Sequence, residues 1–146
     1  MGELVGIARR SRSRVPMEQI DSVRVTQAGG IAGDYRGPRP RNRQVTVISA
    51  DVWDRVCAEL GAELAWTTRR ANLLVRGVAL PRREGAQLAV GALRLEVAME
   101  TGPCDRMDEQ YQGLTALLRP DWRGGVACRV LNDAEIRIGD PVTVEA

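Results

Sequence analysis

The sequence predicts a mostly β fold, a closed or strongly curved β-barrel with two or three short helices, built as one domain over residues 1–146. Three observations carry this. Short alternating or β-branched runs recur along the chain, each bounded by Gly, Pro, Asn or Asp. Only two stretches have helical periodicity. The 146 residues, 44% of them apolar, suffice for one core and are too few for two ordinary domains. Many short strands leave many edges, and closure removes them. No internal repeat, low-complexity tract or inner linker interrupts the pattern.

In order, residues 3–8 form a first strand, and residues 19–25 alternate as one half-buried strand. Residues 28–43, rich in Gly, Pro and Arg, form a long loop, the kind that in compact domains is functional or disordered. Residues 44–48 are a strand. Ser49 then caps a helix over about 50–60, with Val52, Trp53, Val56 and Leu60 on one face and Gly61 as its stop. Strands follow at 72–76, 86–90 and 92–99, the last two turning at Gly91. Residues 105–118 have the spacing of a second amphipathic helix, weakened at Gly113 by about 1 kcal/mol. Residues 126–131 and 134–138 form a hairpin across Asn132-Asp133, and a last strand ends the chain.

Composition excludes several chemistries. There is no His, so Ser-His-Asp and Cys-His catalysis and His-ligated zinc are out. There is no Lys, so all 21 cations are Arg and no Schiff base to pyridoxal phosphate can form on this chain. Net charge is only +2, against general polyanion binding, but it is uneven. Residues 1–45 hold nine Arg against four acids, and the remainder twelve against fifteen. The start of the chain lacks the apolar run of a signal peptide. No apolar run approaches the roughly 20 residues that span a bilayer. These features lead us to expect a soluble, cytoplasmic protein in a reducing setting.

Three features could carry chemistry. Cys104 follows Gly102-Pro103 and stands beside the expected start of the second helix, where N–H groups favour a thiolate. Arg106 adds positive charge, whereas Asp105, Asp108 and Glu109 oppose it, and residue types alone do not sign the balance. A buried structural thiol is the alternative. Cys57, on the first helix, and Cys128, alternating with Val126 and Val130, read as small apolar residues. The three cysteines lack CxxC spacing, so neither a disulfide framework nor a zinc cluster follows. The loop 29–43 is the second feature: its glycines allow close backbone approach, and Arg36, Arg39, Arg41 and Arg43 follow Asp34 without another acid, which suits a phosphate or a solvated basic loop. Nucleic acid ranks last as a partner, because only Tyr35 is there to stack on bases. The third is Arg69–Gly77, where Asn72 reads as turn-forming before a strand and Arg70 as an accompanying cation.

Taken in order, these pieces resemble the MOSC domain family, the module named for the C-terminal part of molybdenum cofactor sulfurase. The residues are Gly-Ile-x-Gly-Asp (30–34), Arg-Gln-Val-Thr-Val-Ile-Ser (43–49) and Arg-Arg-x-Asn-Leu-Leu-Val-x-Gly (69–77). Pro-Cys (103–104), Gly-Gly-Val-x-x-Arg-Val-Leu (124–131) and Ile-Gly-Asp-x-Val (138–142) follow. The resemblance runs from about residue 3 to 145. It implies a barrel-like core and a stand-alone MOSC protein that binds molybdenum cofactor or carries sulfur as a persulfide. In this reading Cys104 is the sulfur carrier or molybdenum ligand. Asp34, Arg36, Arg39, Arg41, Arg43, Arg70, Asn72 and Arg106 are the residues available to the phosphate-bearing pterin. Related proteins reduce N-hydroxylated compounds, an enzymatic alternative that would need an electron-donor partner, since this chain has no iron–sulfur or flavin motif. A non-catalytic small barrel binding an anion or nucleic acid is a further alternative. The full sulfurase also carries a pyridoxal-phosphate domain with a lysine, so sulfur would reach this chain from a sulfurase partner. Tyr35 stands where similar sequences often have His, and Tyr does not titrate near pH 7.

Overall fold

Seven strands close into a ring in the structure, a computed structural model that describes residues 1–12, 15–35, 43–102 and 106–145, with Arg106 described in its backbone only. The strands are β1 (Gly2–Arg9), β2 (Glu18–Ile20), β3 (Ser22–Thr26), β4 (Gly30–Ile31), β5 (Val45–Ser49) and β6 (Leu73–Arg76). After them come β7 (Gln87–Val90), β8 (Leu93–Glu100), β9 (Val126–Val130), β10 (Ala134–Arg137) and β11 (Pro141–Glu145). The ring runs β11-β7-β8-β9-β5-β6-β1 and closes where Gly2 pairs with Val142. β2 lies outside it, on β1. A separate sheet, β10-β3-β4, turns Val23, Val25, Ile31, Ala134 and Ile136 into the same core cluster as the barrel interior.

All neighbours in the ring are antiparallel except β5 and β6. A parallel pair needs a crossover, and here it is α1 (Ala50–Leu60) with a 3-10 turn at Trp66–Arg69. α1 begins and ends as expected. The Ser49 hydroxyl accepts from the Val52 N–H at 3.2 Å. At the other end Gly61 is left-handed (φ 70°), its N–H bonding Ala58 and that of Ala62 bonding Cys57, which satisfies two terminal carbonyls. Trp53 and Val56 of α1 pack with Met107, Leu114 and Leu118 as a helical lobe. Trp66 joins that lobe to the barrel, lying on Leu74 and on Gly6, where a Cβ would come within 2.8 Å of the indole.

Three expectations are corrected. Residues 19–25 are not one strand: the chain breaks at Asp21, β2 pairing with β1 and β3 with β10, so one alternating run serves two sheets. Residues 105–118 are not one helix. α2 (Arg106–Gln110) and α3 (Leu114–Leu118) are separated at Gly113, which is left-handed (φ 91°), and the Asp108 carboxylate accepts from the Thr115 N–H at 2.9 Å. This bond holds Asp108 below the usual carboxylate pKa. β9 and β10 do not form a hairpin: β9 pairs with β5 and β8, and β10 with β3. The Asn132-Asp133 side chains explain this, because they tie the turn to other segments. Asn132 accepts from the Arg94 N–H at 2.8 Å and donates to the Ala92 carbonyl at 2.9 Å, and Asp133 accepts from the Gln27 N–H at 2.8 Å. The loop expected at 28–43 contains β4, and its residues 36–42 lie outside the described ones.

Candidate functional site

The parallel pair brings several expected site residues to one end of the barrel. β5 and β6 both start there, and β1 ends there. Asn72, just ahead of β6, is 5% exposed. Its Oδ1 accepts from the Thr46 N–H (3.0 Å) and hydroxyl (3.2 Å), and its Nδ2 donates to the Ala8 carbonyl at 3.2 Å. One amide thus pins β1, β5 and β6 where their ladder starts, answering backbone groups that would otherwise be buried unpaired. Its bonds go to strands, in keeping with a structural role for this Asn.

Asp34 is also buried, and its carboxylate accepts from the Arg10 N–H at 3.1 Å. The next residue, Tyr35, donates its own N–H to the Arg10 carbonyl at 2.9 Å. The Arg10 guanidinium lies 4.9 Å from the Tyr35 ring centroid and donates to its hydroxyl at 3.1 Å. Arg10 is therefore the residue that docks the glycine-rich turn onto β1. Beside it opens a cleft of about 350 Å³ bordered by Arg9, Arg10, Glu18 and Gly33. Its rim is fixed by the Arg9–Glu18 ion pair at 3.0 Å.

Arg43, two residues ahead of β5, is half-buried, and its Nε is buried with no partner among the described residues. An orphaned guanidinium N–H is expensive unless an anion meets it. Arg70 is exposed and left-handed (φ 59°), a conformation that strains a side-chain-bearing residue by roughly 1 kcal/mol. Its neighbour Arg69 points inward and is 8% exposed. Arg69 donates to the carbonyls of Thr101 (3.1 Å) and Gly124 (2.7 Å) and lies 3.6 Å from the Met107 sulfur. Gly124 is required at this junction, because a Cβ there would run into the Thr101 carbonyl oxygen. The Thr101 hydroxyl is buried and unpartnered among the described residues.

Cys104, Arg36, Arg39 and Arg41 lie outside the described residues, as does the side chain of Arg106. The two described thiols differ from each other. Cys128 is fully buried inside the barrel, and burial pushes it up to about 12, so it is no nucleophile at neutral pH. Cys57 is half-buried on α1, 3.9 Å from the Leu64 carbonyl, beside an open groove of about 480 Å³ that shares no residue with the barrel-end cleft. Among the described residues α2 spans Arg106–Gln110. Among the described residues no group of His, Cys, Asp and Glu could hold a metal ion.

The family profile of the MOSC domain matches residues 26–143. The chain belongs to the MOSC domain family. Three solved structures share the fold of this MOSC domain. The YuaD protein from Bacillus subtilis is 16% identical with a TM-score of 0.84, covering 100% of this chain and 97% of its own. YiiM from Geobacillus stearothermophilus is 14% identical with a TM-score of 0.78, covering 100% and 76%. YiiM from Escherichia coli is 13% identical with a TM-score of 0.73, covering 99% and 70%. No curated protein matches the chain in sequence comparison.

Two buried arginines matter more than sequence reasoning allowed. Arg10 and Arg69 were indistinguishable there from half-buried Arg9 and exposed Arg70, their partners in Arg-Arg doublets. For Arg69 the glycine at Gly124 is a local trace, since a Cβ there would run into the Thr101 carbonyl oxygen and lie 3.1 Å from the Arg69 Nη2.

Proposed function

We propose that this MOSC domain binds molybdenum cofactor or carries sulfur through Cys104. Family membership over residues 26–143, a span that includes Cys104, is the observation that carries the reading. Two further features support it. Cys128 is sealed in the core, which leaves Cys104 and Cys57 as thiols to consider, and Cys57 faces a helix-side groove. Arg43 has a buried Nε with no partner among the described residues, and Arg70 is exposed, and guanidinium groups of this kind fit a phosphate.

When bound, the cofactor supplies a redox-active molybdenum centre, for which a soft thiolate is a better protein ligand than a hard oxygen. Arg43 and Arg70 would hold its anionic end. Asn72 holds together β1, β5 and β6, and Asp34 docks the glycine-rich turn at Arg10. Without a lysine in this sequence, sulfur would arrive from a partner that releases it from another compound. A reducing, cytoplasmic setting accords with the free Cys57 and Cys128 thiols. No described helix is long and apolar enough to cross a membrane.

The test is the molybdenum and pterin content of protein purified anaerobically from cofactor-replete cells, as wild type and as Cys104→Ser. The expected result is metal and pterin in the wild type and their loss in the variant. An intact mass measured without reductant would show one extra sulfur on the wild type alone if the thiol acts as a carrier. Equal, near-zero molybdenum and pterin in both proteins, with no sulfur adduct on either, would defeat the proposal.

A further inference from the structure

A cavity of about 70 Å³ shares no residue with the cleft at Arg9 and Arg10 or with the groove beside Cys57. Its apolar walls are Val52 of α1, Leu80 and Pro81 of the connection between β6 and β7, and Trp122. Leu80 and Trp122 are half-buried against the barrel core. Asp121 and Trp122 are successive left-handed residues with side chains (φ 55° and 56°), a strain that the packing of the indole on the core must offset. The polar side chains at this cavity have donors to spare. Ser49 is 7% exposed; its Oγ accepts from the Val52 N–H, and its own proton has no acceptor among the described residues. The Trp122 indole N–H also has none among them, whereas those of Trp53 and Trp66 bond the Leu64 carbonyl and the Gln19 side chain. Arg82 stands 3.7 Å from Asp121, both well exposed, which is too long for a hydrogen bond and leaves a loose ion pair. Arg123 is committed elsewhere, to Glu59 and the Leu117 carbonyl.

Donors without acceptors beside apolar walls call for a ligand whose head only accepts and whose tail is hydrocarbon. An ionised carboxylate only accepts, and it pairs well with a guanidinium. Size limits the tail: an apolar cavity of about 150 Å³ holds a benzene ring, so half that volume takes a branched chain of about four carbons and no ring. We propose that this cavity binds a short-chain aliphatic carboxylate, its tail against Val52, Leu80, Pro81 and Trp122 and its head shared by Ser49, the Trp122 N–H and Arg82. The ligand displaces Asp121 from Arg82, and the looseness of that pair makes the exchange easy. This site is independent of the reading of Cys104 given above.

The experiment titrates the full chain with sodium isovalerate at constant pH and ionic strength and follows the three indole N–H resonances by NMR, Trp122→Phe assigning the one that matters. The Trp122 resonance moves along a saturating curve with a midpoint of about 1–10 mM, ordinary for a ligand of so few atoms. The Trp53 and Trp66 resonances, each fixed by its own hydrogen bond, stay in place. Acetate keeps the head without the tail and isovaleramide the tail without the charge, and each binds about tenfold or more weakly. Arg82→Gln weakens isovalerate by a similar factor. Ala79→Leu, at an exposed position on the cavity border, adds bulk where the tail lies and abolishes the shift. Both changes fall on exposed side chains, so the fold survives them. No saturable Trp122 shift up to about 100 mM isovalerate overturns the proposal. Acetate binding as well as isovalerate removes the apolar subsite, and isovaleramide binding as well removes the carboxylate class. Arg82→Gln and Ala79→Leu variants that both bind like wild type place the ligand elsewhere and overturn the site.

Discussion

Cys128 shows what a thiol costs when it serves as packing. It sits between Val126 and Val130 on β9 with no exposed surface, and the barrel interior offers nothing to solvate a thiolate. Its pKa therefore rises from 9.0 to about 12. The unfolded chain loses this proton near pH 9 and the folded one keeps it until about 12. Stability from this group is thus complete below pH 9 and declines above it, by about 1.4 kcal/mol per pH unit. Cys128→Ala should remove that component: its stability, lower than wild type at pH 7 because of the cavity, should fall less steeply between about pH 9 and pH 11 in urea titrations. Parallel slopes for the two proteins would show that Cys128 ionises as readily folded as unfolded. The alternation of Val126, Cys128 and Val130 made this role legible in advance. Arg69 and Arg70 were not legible in the same way, because one residue type repeated twice says nothing of which copy turns inward. That is decided by the 3-10 turn at Trp66–Arg69, after which Arg70 adopts a positive φ.

At the scale of elements, α1 was readable to the residue because both its ends rest on local chemistry. Ser49 and Gly61 act on atoms within a few positions of themselves. Ser49→Ala should therefore cost about 1 kcal/mol in urea unfolding, with Ser49→Asp recovering most of it, since Asp can accept the same Val52 N–H. No loss in Ser49→Ala would mean that the cap is idle. The hairpin across Asn132-Asp133 failed as an expectation for the opposite reason. Those side chains bond Arg94, Ala92 and Gln27, 38 to 106 residues away in sequence, and local turn chemistry has no means of announcing such partners. Residues 105–118 lie between the two cases. Their apolar spacing is real, with Met107, Leu114 and Leu118 all buried together, but Gly113 and the Asp108–Thr115 bond divide it into two short helices.

For the whole molecule, the closure of the barrel hangs on a narrow seam. β1 meets β11 at Gly2 and Glu3, and beyond them the Leu4 N–H bonds the Asp140 carbonyl at 2.9 Å. Gly2 has no room for a side chain: a Cβ would lie 2.6 Å from the Arg76 carbonyl oxygen and 2.7 Å from Val78. Gly2→Val should spread this seam, lowering stability by about 1–3 kcal/mol and speeding amide exchange at Leu4. Unchanged protection at Leu4 would show that the seam tolerates the added bulk. Barrel closure was inferred from the number of short strands, yet the order of those strands was not. Strands recognise each other across long sequence separations through packing, and β9 pairs with β5 and β8 rather than with β10, which follows it in the chain.

A closed ring of seven strands cannot be coloured in two alternating shades: going once round, two neighbours must match. Parity alone therefore obliges this barrel to contain a same-direction pair, and such a pair obliges a long link over the outside. The link falls between β5 and β6, and it is the stretch that delivers Trp66 and Arg69 to the rim. An even-numbered barrel of the same size would have no such obligation, and would have to find another way to bring a buried arginine against the Thr101 and Gly124 carbonyls.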